Sequence, residues 1–343
     1  MTRTMRSIAA ATIVLCASVA FCALCIEPAA AKALIVTFDP PGSGGTYPWR
    51  ANRNGDIAGF WYDTAAQTTK GFIRASDGEI TTFDHAGSKT TAAYAISEGG
   101  VSTGYWTVDA GNHPGFVRAA DGAMTEFHAP GDDNGTFPIA LTDKGAIVGS
   151  YYDLYDVPHG FLRGRKGGIE TFDVSGDAYG ASPMSLNADG VIAGHWGDEN
   201  GLVHGFVRTP DGAIASFDAP GANGGTFPQA INAAGAIAGY YADASFMYHA
   251  FVRAPDGTIS AFDAQGAIST VANGVNKKGA IAGYYLDGGY VAHGFVRSAK
   301  GKIRSFDVPG ATGVYANDIN DSGLVTGWWT TPDETYHGFL RSE

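Results

Sequence analysis

Cysteine is nearly absent from this chain: its three copies, Cys16, Cys22 and Cys25, all fall within the first 33 residues. A disulfide framework is therefore excluded for everything after them, and packing has to hold the fold together. Charge is sparse as well, at 16% of residues, and it leans acidic, with a formal net of −12. That balance repels phosphate backbones and anionic lipid heads, which excludes nucleic acid and membrane surfaces as ready partners. Beyond residue 33 no apolar run is long enough to span a bilayer, and no window shows the three-and-four apolar spacing of an amphipathic helix. Nucleophile motifs, glycine-rich phosphate loops and Cys/His ligand clusters are missing too. The residues thus point to no cofactor, no metal and no catalytic group.

The first 33 residues are rich in what the rest lacks. Arg3 and Arg6 precede the apolar run Ile8 to Ile26, and the small-residue stretch "PAAAKA" follows. This is the three-part layout of a secretory signal, with cleavage expected after Ala33. The residues before each cysteine lack the small side chain that lipid attachment favours, so no lipid anchor is expected. Without the segment's Arg3, Arg6, Lys32 and Glu27 the formal net charge moves from −12 to −14. Residues 34–343 are then one exported domain, secreted or periplasmic, long enough to bury roughly three quarters of their unfolded surface.

Within that domain one phrase recurs seven times. A phenylalanine following a His/Gly pair stands at Phe72, Phe116, Phe161, Phe206, Phe251, Phe295 and Phe339, in steps of 44 or 45 residues. A second marker, Phe followed usually by Asp, keeps the same steps at Phe38, Phe83, Phe127, Phe172, Phe217, Phe262 and Phe306. The fifth copy reads as four strands: "FPQAIN", "AIAGYYAD", "HAFVRAP" and "TISAFDA". Asp-Gly pairs, as at Asp256-Gly257, mark a tight turn between the last two, with both residues able to take positive φ. A two-residue turn there sets Phe251 across from Phe262 and Phe72 across from Phe83, as core neighbours on one face.

Four strands in about 45 residues is the period of a β-propeller blade. Pairs such as Phe60-Trp61, Tyr240-Tyr241 and Trp328-Trp329 put large aromatics on both faces of a strand, which needs a cover on each side. A glycine precedes each pair, among them Gly59, Gly239 and Gly327, as expected where neighbouring backbones crowd toward an axis. The chain stops at "HGFLRSE", one strand short of a unit, while "LIVTFD" near residue 34 is a fourth strand without its first three. The expectation is an all-β, seven-bladed β-propeller closed by the N-terminal strand joining the last blade.

The consensus His-Gly/Ala-Phe-Val-Arg, Asp-Gly-x-Ile-x-x-Phe-Asp-x-Pro-Gly-Ala, Ile-Asn-x-x-Gly-x-Ile-Ala-Gly-Tyr-Tyr resembles bacterial extracellular repeat proteins of the HAF type. His249, Ala250 and Phe251 spell the signature itself. The resemblance covers residues 34–343 and implies an exported bacterial propeller-like protein; it brings no activity and no catalytic residues. Lys70 and Pro114 depart from the pattern by replacing the histidine in the first two copies, and His128 replaces the aspartate in the third.

Regular features read as scaffold. His159, His204, His249, His293 and His337 each follow an aspartate (Asp153, Asp198, Asp243, Asp287, Asp333) and are expected to bond to it across a loop. Spread around a ring, they do not converge on one metal ion. The arginines Arg74, Arg118, Arg163, Arg208, Arg253, Arg297 and Arg341 are expected to bridge to backbone or carboxylate groups of a neighbouring blade. Asn52, Asn187, Asn232, Asn276 and Asn320, with Ser97 and Thr142 in the other two slots, close the first turn. His195, in an aromatic slot, is expected to be a satisfied lone histidine.

A single binding site belongs where the copies disagree around a shared cavity. Three residues before the turn Asn/Ser/Thr stand Trp49, Tyr94, Ile139, Met184, Gln229, Asn273 and Asn317, and one residue later Arg50, Ala95, Ala140, Ser185, Ala230, Gly274 and Asp318. Trp49, Arg50, Tyr94, Gln229, Asn273, Asn317 and Asp318 are the candidate ligand-binding residues, an aromatic platform beside amides and a carboxylate that suits a sugar. The expected function is non-catalytic recognition, by a monomer, of a glycan or other cell-envelope or protein partner. A polysaccharide lyase or hydrolase on the same scaffold, or a purely structural or protein-docking module, are the alternatives.

Overall fold

Each Asp-Gly turn ends in a glycine that no other residue replaces cheaply: Gly78, Gly122, Gly212 and Gly257 sit at φ 101°, 94°, 93° and 93°. Their aspartates do not share the positive φ. The amide of Gly257 donates to Ala254 O and that of Ala254 to Thr258 O, while the Thr258 amide donates to Asp256 Oδ1 at 2.9 Å. This is a three-residue loop, a type I turn followed by a left-handed glycine, and not the two-residue turn expected from the sequence. The extra residue shifts the register by one. Phe251 pairs with Ala261 and Phe262 with Ala250; likewise Phe72 pairs with Thr82 and Phe83 with Gly71. A one-residue shift turns the two marker aromatics to opposite faces, which corrects the expectation that they share one.

The computed structural model describes residues 33–107 and 113–342. The signal-like segment and the three cysteines lie outside them. Among the described residues there is no helix, and 28 strands follow one another in units of four. In the fifth copy these are Gly225–Ile231, Ile237–Ala242, Tyr248–Arg253 and Ile259–Phe262, paired antiparallel in that order. Four copies form separate four-stranded sheets; single parallel bridges, Gly45 to Tyr336 and Thr69 to Thr90, join the other three into one twelve-stranded sheet. The strand Leu34–Phe38 pairs antiparallel with Tyr336–Ser342, from Leu34 opposite Ser342 to Phe38 opposite Gly338.

The core lies between copies. Phe72, Phe116, Phe161, Phe206, Phe251, Phe295 and Phe339 are fully buried. Each takes the edge of the fourth-strand phenylalanine from the copy before it, as Phe217 meets Phe251 at 6.2 Å and Phe83 meets Phe116 at 6.0 Å. The arginines complete this seam in an unexpected way. Their guanidinium groups lie over those same phenylalanines, Arg253 4.8 Å from the Phe217 ring centroid and Arg297 4.5 Å from Phe262. A cation over an aromatic face is thus the contact all seven share, which the sequence did not suggest, while the expected bridge to a carboxylate of the neighbouring copy is present at Arg208, which pairs with Glu170. Burial lowers the guanidinium pKa at Arg74, Arg118, Arg163, Arg253 and Arg297. None of the helix-length apolar segments needed to cross a membrane occurs among the described residues.

Candidate functional site

The candidate residues fall on a backbone irregularity. In every copy the first strand carries a bulge: Pro48 pairs with Gly59 and Arg50 with Ala58, leaving Trp49 unpaired. The same break leaves Tyr94, Ile139, Met184, Gln229, Asn273 and Asn317 without a partner. Proline at positions 48, 138, 183 and 228 has no amide to lose there. The bulge also explains the glycine before each aromatic pair. A Cβ on Gly59 would meet Tyr47 O at 2.4 Å and one on Gly327 would meet Tyr315 O at 2.0 Å. The crowding backbone is the bulged first strand of the same copy, not that of a neighbouring one.

Because a bulge re-aims its side chain, these residues converge. Trp49, Arg50, Ile139, Met184, Gln229, Asn273 and Asn317 surround one cavity of about 30 Å³. That is room for a water or two and too little for a sugar ring. Of the seven candidates, then, five meet there, with Tyr94 on one side and Asp318 on the other. Several are already engaged. Asn273 Nδ2 donates to Ala316 O at 3.0 Å, and Asn317 Nδ2 to Trp49 O at 2.9 Å. Asp318 accepts the Ala51 amide at 3.0 Å and Arg50 at 3.4 Å. Ser185 does the same for the Ile231 amide at 3.1 Å. Burial raises the Asp318 pKa, with the Arg50 charge opposing it.

Two larger cavities open at the two ends of the first strands. At the end formed by the tight turns, a cavity of about 250 Å³ is bordered by Arg50, Asn52, Glu98, Asp143, Asp318 and Asp321 among others. Its rim is tied up in itself. Asn187 donates to Asn232 O, Asn232 to Asn276 O, Asn276 to Asn320 O, Asn320 to Asn52 O and Asn52 to Ser97 O, at 2.6 to 3.2 Å. Each asparagine also closes its own turn, as Asn232 Oδ1 does by accepting the Ala234 and Ala236 amides. The turn role expected from sequence is present, joined by a link from copy to copy.

The loop end differs. A cavity of about 550 Å³, within the usual range of ligand pockets, is walled by Trp49, Tyr94, Tyr105, His113, Phe137, Tyr152 and Asp156. Tyr94 stands edge-on to Trp49 at 4.9 Å and stacks with Tyr105 at 5.9 Å; Phe137 meets Tyr105 at 4.8 Å. Burial, with help from Tyr105, raises the Tyr94 pKa, and burial lowers that of His113. Tyr105, His113, Phe137, Tyr152 and Asp156 were not among the sequence candidates. Tyr105 and Phe137 carried a signal nonetheless: one opens an aromatic pair, the other stands two residues before the bulge.

Farther out at the same end, His159, His204, His249 and His293 are each held between two aspartates. The short bond is not to the loop aspartate expected from sequence. His249 Nδ1 bonds to Asp263 at 2.9 Å while its Nε2 is 3.6 Å from Asp243; His293 gives 2.7 Å to Asp307 and 3.4 Å to Asp287. His337 takes its partner, Asp39, from the other end of the domain at 2.7 Å. In the first copy Lys70 reaches the equivalent pair, Asp63 at 2.9 Å and Asp84 at 3.9 Å. Burial alone would lower the pKa of His159, His249 and His293, but their aspartates outweigh it and raise it. His195 is not satisfied: its Nδ1 is buried with no hydrogen-bond partner, and burial lowers its pKa to about 4. Among the described residues no three His, Cys, Asp or Glu side chains are grouped to hold a metal.

No family model matches the chain, and no curated protein sequence does. Solved structures do. A catalytically inactive virginiamycin B lyase from Staphylococcus aureus, with quinupristin, is 14% identical, covers 91% of this chain and all of its own, and gives a TM-score of 0.63. A puromycin hydrolase at 13% covers 88% of this chain and 53% of its own, with a TM-score of 0.57. TolB from Acinetobacter baumannii at 12% covers 86% and 65%, with a TM-score of 0.51. These are β-propeller proteins, and the likeness shows that fold for this chain.

Proposed function

We propose that this chain is an exported, non-catalytic propeller of seven blades that binds an extracellular glycan at the loop end of its channel. The blade count is supported by seven copies of one four-stranded unit. Closure by the N-terminal strand is supported by the pairing of Leu34–Phe38 with Tyr336–Ser342 and by the bond from Asn320 to Asn52. Closure of this kind leaves no exposed gap between the first and last blades, only the short outer edge of each blade. Export rests on the signal-like first 33 residues and on the resemblance to HAF-type extracellular repeats.

The observation that carries the binding role is the cavity walled by Trp49, Tyr94, Tyr105 and Phe137. Flat aromatic faces offer a large apolar area with few rotatable bonds, and they match the apolar face of a sugar ring. Glycoside hydrolysis uses a pair of facing carboxylates; among the described residues the walls of this cavity supply one, Asp156, which already accepts Asn134 Nδ2 at 2.9 Å. Asp318 belongs to the far side of the bulge layer. The reading therefore shifts from the amides and carboxylate of the narrow centre to the aromatic half of the candidate set, Trp49 and Tyr94.

A glycan array followed by product analysis tests this. Retention without released oligosaccharide is expected, weakened about five- to ten-fold by Tyr94→Ala, in keeping with a stacking contact of about 1–1.5 kcal/mol. Released product would instead favour a polysaccharide-cleaving enzyme on this scaffold. A protein that retains no glycan would overturn the reading and leave a docking or structural module.

A further inference from the structure

Exposed apolar side chains are not scattered over this molecule. Among the described residues, every large hydrophobic one standing well into solvent, apart from Leu34, lies at the loop end. Two of them are held in an unusual way. Phe246 and Tyr290, in the loops between the second and third strands of adjacent copies, are 74% and 71% exposed. Both have left-handed backbones, at φ 59° and 62°, where the fourth copy has Gly201 at φ 78°. A bulky residue disfavours that conformation, and water disfavours that exposure, so packing explains neither. Met247, Tyr248 and Val291 extend the patch.

Charge is divided in the same way. From the third copy to the seventh, the segments that form the loop end (127–135, 152–158, 172–180, 197–203, 217–225, 242–248, 262–269, 286–292, 306–313 and 330–336) contain no lysine or arginine. Carboxylates stand beside the apolar patch: Asp243 and Asp287 open its two loops, and Asp263 and Asp307 are 44% and 58% exposed. They are held in place before any ligand arrives. Asp243 Oδ1 accepts the Met247 amide at 3.0 Å and Asp287 Oδ1 the Val291 amide at 3.0 Å, while the histidines hold the other two. The turn end mixes both signs, with Arg53, Lys144, Arg165, Lys166, Lys277 and Lys300 beside Glu98, Asp143 and Asp321.

We infer that the glycan taken at this end bears free amino groups. An ammonium group can lie over an aromatic face and reach a carboxylate at the same time, and this end supplies both, with no lysine or arginine in these segments to compete. The histidines that clip Asp263 and Asp307 leave those carboxylates 44% and 58% exposed. Ligands with uncharged or acidic sugars would meet the same aromatic platforms without the charge complement. The inference rests on the glycan reading above and narrows it to one chemical class.

The test compares two hexasaccharides with one backbone, chitosan hexamer and its fully N-acetylated counterpart, by calorimetry at about pH 6, where aspartates are ionised. The amine form is expected to bind about ten-fold tighter at low salt, with the gap closing as salt shortens the Debye length to about 5 Å or less. The double variant Asp263→Asn/Asp307→Asn should narrow the gap by weakening the amine form more than the acetylated one. Equal or reversed affinities overturn the amine inference and leave glycan binding standing. Binding of neither hexamer overturns both. A lysine hexapeptide that binds where chitosan does not overturns the assignment to a glycan in favour of a basic peptide.

Discussion

The two ends of this propeller are built from the same repeat and treat their side chains in opposite ways. At the turn end the repeated asparagines are consumed by geometry: Asn320 accepts the Ser322 and Leu324 amides and donates to Asn52 O. At the loop end Tyr155, Phe246 and Tyr290 stand in solvent at 82%, 74% and 71% exposure. Where the copies agree, the fold has used the residue; where they disagree, some side chains are used as well, as Asn273, Asn317 and Asp318 are, and others such as Phe246 and Tyr290 stand in solvent.

The largest effect expected lies in the seam both ends share. Phe251→Ala empties a fully buried site between copies and should cost about 3–5 kcal/mol in urea unfolding. At the turn end, Asn320→Ala leaves several buried backbone groups unpaired and should cost about 2–3 kcal/mol. The matching change at the loop end, Phe246→Gly, relieves a left-handed position and should leave stability unchanged or raise it by up to about 1 kcal/mol. A larger loss for Phe246→Gly than for Asn320→Ala would erase the distinction between the ends.

The smallest effect is a pH dependence confined to the loop end. Because His159, His249 and His293 titrate above their unfolded value, their clips stabilise fully below about pH 6.5 and fade as pH rises through the raised folded pKa. Solvent reaches the aspartates, so each clip is worth less than about 1 kcal/mol. The Tm should decline from pH 6 toward pH 8, and Asp263→Asn should flatten that slope. A Tm that climbs over this interval would contradict the assignment.

Much of this was legible beforehand, for physical reasons. Strand and turn patterning is local, so the four-strand unit, its all-β character and the asparagine turns could be read from spacing alone. Register could not. Asp256-Gly257 fits a two-residue or a three-residue loop equally well on paper, and the difference of one residue decides which face Phe262 takes. Partners from another copy were equally hidden: the place of Arg253 over Phe217 depends on how sheets pack. The candidate set was legible as positions and not as surroundings. Variation picked out the bulge positions, but not that Asn273, Asn317 and Asp318 would be engaged by neighbouring backbone while Trp49 and Tyr94 faced the wider cavity. Among its other walls, Tyr105 and Phe137 repeat a scaffold pattern, which by itself gives no sign of a cavity.

Hydrogen exchange on the protein with and without its best-retained array glycan tests the division of labour most directly. The account expects new protection in the loop-end segments 152–158, 242–248 and 286–292, with the turns around Asn276 and Asn320 unchanged. Protection centred on those turns, or none at either end, would contradict it.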